Sequence, residues 1–116
     1  MFQMSEDEFS ELVADALDEV PGELLDLLDN VVVLLEDEHP DGLELLGLYE
    51  GTPLTDRSDV FGPPILPDTI TIYRGPTLRM CADAHQAREE VAITVVHEIA
   101  HHFGIDDERL HRLGWG

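Results

Sequence analysis

Lysine is absent from the 116 residues, and cysteine occurs once, as Cys81. All six basic residues are arginines, set against 26 acidic residues for a formal charge of −20. Nucleic-acid binding draws much of its affinity from neutralising phosphates with Lys and Arg, and a field of this sign repels anionic membrane surfaces as well. Neither nucleic acid nor membrane is therefore an expected partner. A single cysteine excludes an internal disulfide and any multi-cysteine metal site, and it fits a reducing, cytoplasmic setting. The opening MFQMSEDEFS has neither the positive nor the apolar region of a signal peptide, and no run approaches the ~18 apolar residues of a membrane span. The acidity itself reads as a solubility feature rather than as the mark of a cationic partner.

What is present suits a small globular unit. Hydrophobic residues make up 43% of the chain, enough for one core and not two, so a single domain over 1–116 is expected. Residues 5–20 place Phe9, Leu12, Val13, Ala16, Leu17 and Val20 at helical spacing, and Ser5 with Glu8 forms a capping-box pattern. Pro21-Gly22 breaks that helix, and ELLDLLD over 23–29 supports a short helical turn or two. The β-branched run VVVLL at 31–35 reads as a core strand. A second strand is expected within 42–51, and 52–67, rich in Pro, Gly, Asp and Ser, as an ordered loop. In DTITIYRG, 68–75, Ile70 and Ile72 alternate with Thr69, Thr71 and Tyr73, the pattern of a half-exposed edge strand. Residues 82–103 read as a largely buried helix stopped at Gly104, where a left-handed residue turns the chain, with a short closing helix over 107–113. The expected class is α+β, a few helices on a small mixed or antiparallel sheet.

The chemistry concentrates in His97-Glu98-Ile99-Ala100-His101. Positions i and i+4 of a helix share a face, so the imidazoles of His97 and His101 can address one ion. Glu98 then lies beside the ion, placed to take a proton from a water that zinc makes acidic. A catalytic zinc site takes three protein ligands. With fifteen residues after His101, the third is expected from the turn that Gly104 permits, and Asp107 completes H-E-x-x-H-x-x-G-x-x-D. Asp106 and Glu108 are its competitors. In a chain of this composition H-E-x-x-H arises by chance in roughly 3% of cases, and the extended pattern in about 0.03%, so coincidence is a poor explanation.

His97 to Asp107 resembles the zincin metallopeptidases, in the extended form with aspartate as third ligand. LPDTITIYRGP, Arg88-Glu89-Glu90, ITVVHEIAHHFGIDDERLHRLGW, NVVVLLEDE and GLYEGTPL are together similar to the small bacterial minimal zincin-like metallopeptidases. The resemblance implies a reduced zincin fold, one zinc ion, a peptide or unfolded-protein substrate and Glu98 as the base that activates water. It also implies an edge strand above the active helix that aligns substrate by backbone pairing. Two features of larger zincins are missing: no methionine follows Asp107, and there is no lower subdomain. The alternative function is a zinc-binding module that acts through a partner with little catalysis. A metal-dependent endoribonuclease with two histidines four apart fits less well, because Glu98, Asp107 and the negative charge all argue against it.

Several other residues carry weaker signals. His111 could orient Asp107 or stabilise an oxyanion, but a solvent-facing helix histidine is the simpler reading. His102, turned about 100° from His101, is not expected to share its ion. Arg74 could clamp a substrate carboxylate but is expected to pair with the chain's own acids. Glu90 is expected to pair with Arg79 or Arg88. Cys81 and Met80 read as core filling.

Overall fold

The computed structural model describes residues 2–28, 30–51, 67–112 and 114–115, with the Asp107 side chain outside that description. Helix α1 (Glu6–Asp18) opens with the expected capping box: the Ser5 hydroxyl accepts from Glu8 N–H, and the Glu8 carboxylate accepts from Ser5 N–H. Helix α2 (Gly22–Leu25) and a 3-10 turn (Asp26–Leu28) follow. Among the described residues three strands form one mixed sheet: β1 (Val31–Glu36), β2 (Gly47–Glu50) and β3 (Asp68–Tyr73), in the order β1-β3-β2. Strand β1 runs parallel to β3, and β2 antiparallel to it. Helices α3 (Arg74–Met80), α4 (Ala84–Phe103) and α5 (Asp107–Arg112) close the described chain. Helices with a small mixed sheet are the α+β arrangement expected from sequence.

The two strand assignments exchange places. The run at 31–35 was expected in the core, yet β1 lies at an edge, with Val31 and Val33 turned inward while Val32 and Leu34 remain 42% and 41% exposed. The strand over 68–73 was expected at an edge, yet β3 is central and paired on both sides. Its alternate residues are covered too, with Thr71 and Tyr73 only 5% and 3% exposed. The Thr/Ile alternation did not mark a wet face, because β3 is central in the sheet and covered on both faces.

Helix α3 lay outside every sequence expectation, because Gly75-Pro76 reads as a break. Pro76 falls in the first turn, where a helix has no use for the missing N–H, and the Thr77 hydroxyl donates to Tyr73 O at 2.8 Å. Helix α4 starts two residues later than expected because Asp83 caps it, accepting from Gln86 N–H at 2.8 Å. The loop expected over 52–67 lies outside the described residues apart from Pro67. Among the described residues no helix is long and apolar enough to cross a membrane.

The core lies between the sheet and helices α1 and α4. Phe9, Leu12, Val13 and Ala16 of α1 meet Val91, Ala92, Val95, Val96 and Ile99 of α4, and Ile70 and Ile72 cover them from β3. The arginines are used at the periphery. Arg79 forks onto both Glu38 and Glu44, at 2.6–2.9 Å, and pins the β1–β2 connection to α3. Arg74 pairs with Asp37 at 3.0 Å and donates to Met4 O, the expected pairing with the chain's own acids. Arg88 lies beside Glu19 and Arg79 beside Glu38 and Glu44, and among the described residues no ion pair joins Glu90 to either, contrary to expectation.

The exchange of centre and edge has a measurable consequence. Ile72→Ala should cost about 2–5 kcal/mol in urea unfolding, as deletions at fully buried sites do. Val32→Thr, on the exposed face of β1, should stay within about 0.5 kcal/mol. Comparable losses from the two would contradict the central placement of β3.

Candidate metal centre

Helix α4 buries one side and presents the other. Val95, Val96 and Ile99 are fully buried and Ala100 nearly so, while His97 and His101 are exposed. Their i, i+4 spacing puts both imidazoles on one helical face. Neither has a hydrogen-bond partner among the described residues, which leaves their ring nitrogens available to an ion. The helix over 82–103 is thus less buried at its end than the sequence led one to expect: of these three side chains only Glu98 is half-buried.

The end of α4 is set by Gly104, left-handed at φ 69° and ψ 31°. Its N–H and that of Ile105 both turn back to Ala100 O, the latter at 2.9 Å. A residue with a Cβ at this φ costs about 1–2 kcal/mol, so glycine suits the reversal. Asp106 then starts α5, its carboxylate accepting from Arg109 N–H at 2.8 Å, which commits one oxygen of this competitor to capping. Asp107 is the first residue of α5. Leu110, buried, and the pairing of Arg109 with Glu23 hold this short helix against the body. Glu108, His111 and His102 are exposed.

Among the described residues no three His, Cys, Asp or Glu side chains converge to hold a metal. The candidate third ligand, Asp107, has its side chain outside that description. The donor set itself fits zinc: two imidazoles on one helical face and a carboxylate-bearing residue beyond a tight turn. Cys81, just before the start of α4, is buried, and burial, with the charges of Glu90 and Asp83, pushes its thiol upward.

Glu98 is the electrostatic singularity of the site. Burial raises its carboxyl above the ordinary 4.5, while the charge of His101, the Tyr49 backbone N–H and the charge of His97 act to lower it. That N–H comes from β2, and the Tyr49 side chain belongs to a cluster that the sequence did not reveal. Its hydroxyl donates to Asp68 at 2.9 Å, and its ring stacks on His102 with centroids 3.8 Å apart. His102 Nε2 stands 3.8 Å from the same Asp68 carboxylate. No local pattern in the sequence connects Tyr49, Asp68 and His102, since three separate elements bring them together.

The raised carboxyl has a definite pH signature in the metal-free protein. Folding disfavours ionised Glu98, so this contribution is fully present below the unfolded value near 4.5 and is lost as pH rises through the folded one. Glu98→Gln cannot ionise and removes that loss. Urea unfolding should find the metal-free variant more stable than wild type at pH 7 and similar to it at pH 4. A variant less stable at pH 7 would show that the carboxylate is not strained by burial.

The model of the zincin-like metallopeptidase family matches residues 28–115 of this chain. Among solved structures, a conserved hypothetical protein from Thermo thermophilus is similar, with 30% identity and a TM-score of 0.58. The match covers 86% of this chain and 94% of that one. Comparison with curated proteins returned no match.

Proposed function

The chain belongs to the zincin-like metallopeptidase family, and from that premise we propose that it is a zinc-dependent peptidase with His97, His101 and Asp107 as ligands. The observation that carries this reading is the pairing on one helix of two exposed, co-facial imidazoles, without hydrogen-bond partners among the described residues, with a half-buried carboxyl that accepts from strand β2. Helix α1, outside the matched residues, packs directly on α4, which supports reading the chain as one domain.

A zinc ion held by His97, His101 and Asp107 would supply a Lewis acid and would make a water acidic enough to deprotonate near neutral pH. Glu98 would take a proton from the attacking water as the water oxygen bonds to the peptide carbonyl carbon. A half-buried carboxyl one residue from His97 is placed both to accept this proton and to release it. The same carboxyl then delivers the proton to the amine as the C–N bond breaks. The substrate is an extended peptide or unfolded protein segment, which can add to an exposed strand edge by backbone pairing. The strand at the right place is β2, not β3, because β2 is the edge that lies against α4.

A second reading draws on the exposure of His97 and His101. A site this open also suits a zinc-binding module whose ion staples α4 to α5 and whose cleft a partner completes. The two readings separate on activity. Purified protein carrying one zinc should cleave members of a peptide library, and Glu98→Gln should retain the zinc and cleave none. Undiminished cleavage by that variant removes Glu98 from the chemistry, and a zinc-loaded wild type that cuts nothing favours the module. Asp107→Ala should weaken zinc binding more than about tenfold by competition titration. Unchanged affinity would remove Asp107 from the site.

A further inference from the structure

Strand β2 lies along one ridge of α4 in a matched register. Two residues of a strand advance about 6.7 Å and four residues of a helix about 6 Å, so alternate strand positions can meet successive i, i+4 positions. Three such meetings occur. Gly47 faces Thr94, so closely that a Cβ on Gly47 would stand 2.6 Å from the Thr94 methyl. Tyr49 meets Glu98 through its N–H and His102 through its ring. Gly51 faces His102, where a Cβ would stand 3.2 Å from Cε1. Thr94 cannot readily turn aside, because its hydroxyl donates to Glu90 O at 2.7 Å. Glycine two residues to either side of Tyr49 thus lets the strand settle onto the helix, and the tyrosine meets the His102 and Phe103 rings there.

That side chain is fixed at both ends. The hydroxyl is bonded to Asp68 on β3, and the ring lies on His102 with the Phe103 ring edge-on at 6.1 Å. With the pairing of β2 on β3, such a latch holds the Tyr49 backbone, whose N–H bonds to the carboxylate of Glu98. We propose that Tyr49 is a positioning residue, whose N–H holds the Glu98 carboxylate in place and whose ring, latched to Asp68 and His102, fixes the strand that carries this N–H. The catalytic consequence rests on the metallopeptidase reading, whereas the geometry does not. A general base displaced by about 1 Å can lose as much as a hundredfold in rate without loss of binding.

The test has two arms. In the first, amide hydrogen exchange and the 15N shift of Tyr49 are followed in metal-free wild type and Glu98→Ala. Loss of the acceptor should speed exchange at Tyr49 by about tenfold or more while amides of β3 stay protected. A Tyr49 amide indifferent to Glu98→Ala would overturn the proposal. In the second arm, Tyr49→Ala and Tyr49→Phe are compared with wild type on a peptide the wild type cleaves, at equal zinc content and equal folded fraction by circular dichroism. Tyr49→Ala should lower kcat by about tenfold to a hundredfold with KM within about twofold, and Tyr49→Phe, which keeps the stack, should recover most of it. A loss confined to the folded fraction or to KM would reduce Tyr49 to a structural or substrate-contacting residue and refute the positioning role. If the wild type cleaves no peptide, the metallopeptidase reading fails, and the exchange arm alone decides whether Tyr49 holds Glu98.

Discussion

Burial of one side of α4 is the constraint on which the rest depends. Val91, Val95, Val96 and Ile99 are fully enclosed by α1 and by Ile70 and Ile72 of β3. Each such side chain contributes about 1.5–3 kcal/mol relative to exposure. Together they hold the helix at one rotation about its axis, with His97 and His101 facing outward and Glu98 at the boundary. The chemistry of the candidate site is thus a by-product of helical phase. A shift of one position in the apolar pattern would bury an imidazole and expose an isoleucine.

The second constraint is the contact between α4 and β2. A helix face covered by an edge strand leaves Glu98 half-buried, and desolvation raises its carboxyl. Such a group is an unfavourable resident of a folded protein and a suitable general base, a combination common where stability has been exchanged for function. The glycines at 47 and 51 make the contact possible. The Tyr49–Asp68–His102 cluster makes it specific, linking two strands to the last turn of the helix. The same turn leads through Gly104 to Asp107, so the elements that carry the proposed base and the proposed ligands are continuous.

Legibility in the sequence followed range. The capping box at Ser5 and Glu8, the stop at Gly104 and the co-facial His97 and His101 are decided within a few residues, and each was readable there. Strand order was not. The run at 31–35 and the alternation at 68–73 describe the strands' own faces, but which strand is central depends on what pairs with both sides of it. Helix α3 was hidden because Gly75 and Pro76 read as breakers until their place in a first turn is known. The contact of Tyr49 with Glu98 joins residues far apart in the chain, and no periodicity announces it. Membership of the zincin-like family was legible because its motif is local, and the family match over 28–115 bears it out.

The central claim is that the ridge of α4 and the turn after it hold one zinc ion through two imidazoles and a carboxylate. X-ray absorption at the zinc edge, on protein loaded with one equivalent and dialysed, addresses it most directly. If His97, His101 and Asp107 are the ligands, the shell contains only nitrogen and oxygen at about 2.0–2.2 Å, with the multiple scattering of two imidazoles. A sulfur scatterer at about 2.3 Å, or zinc that does not survive dialysis, would contradict it.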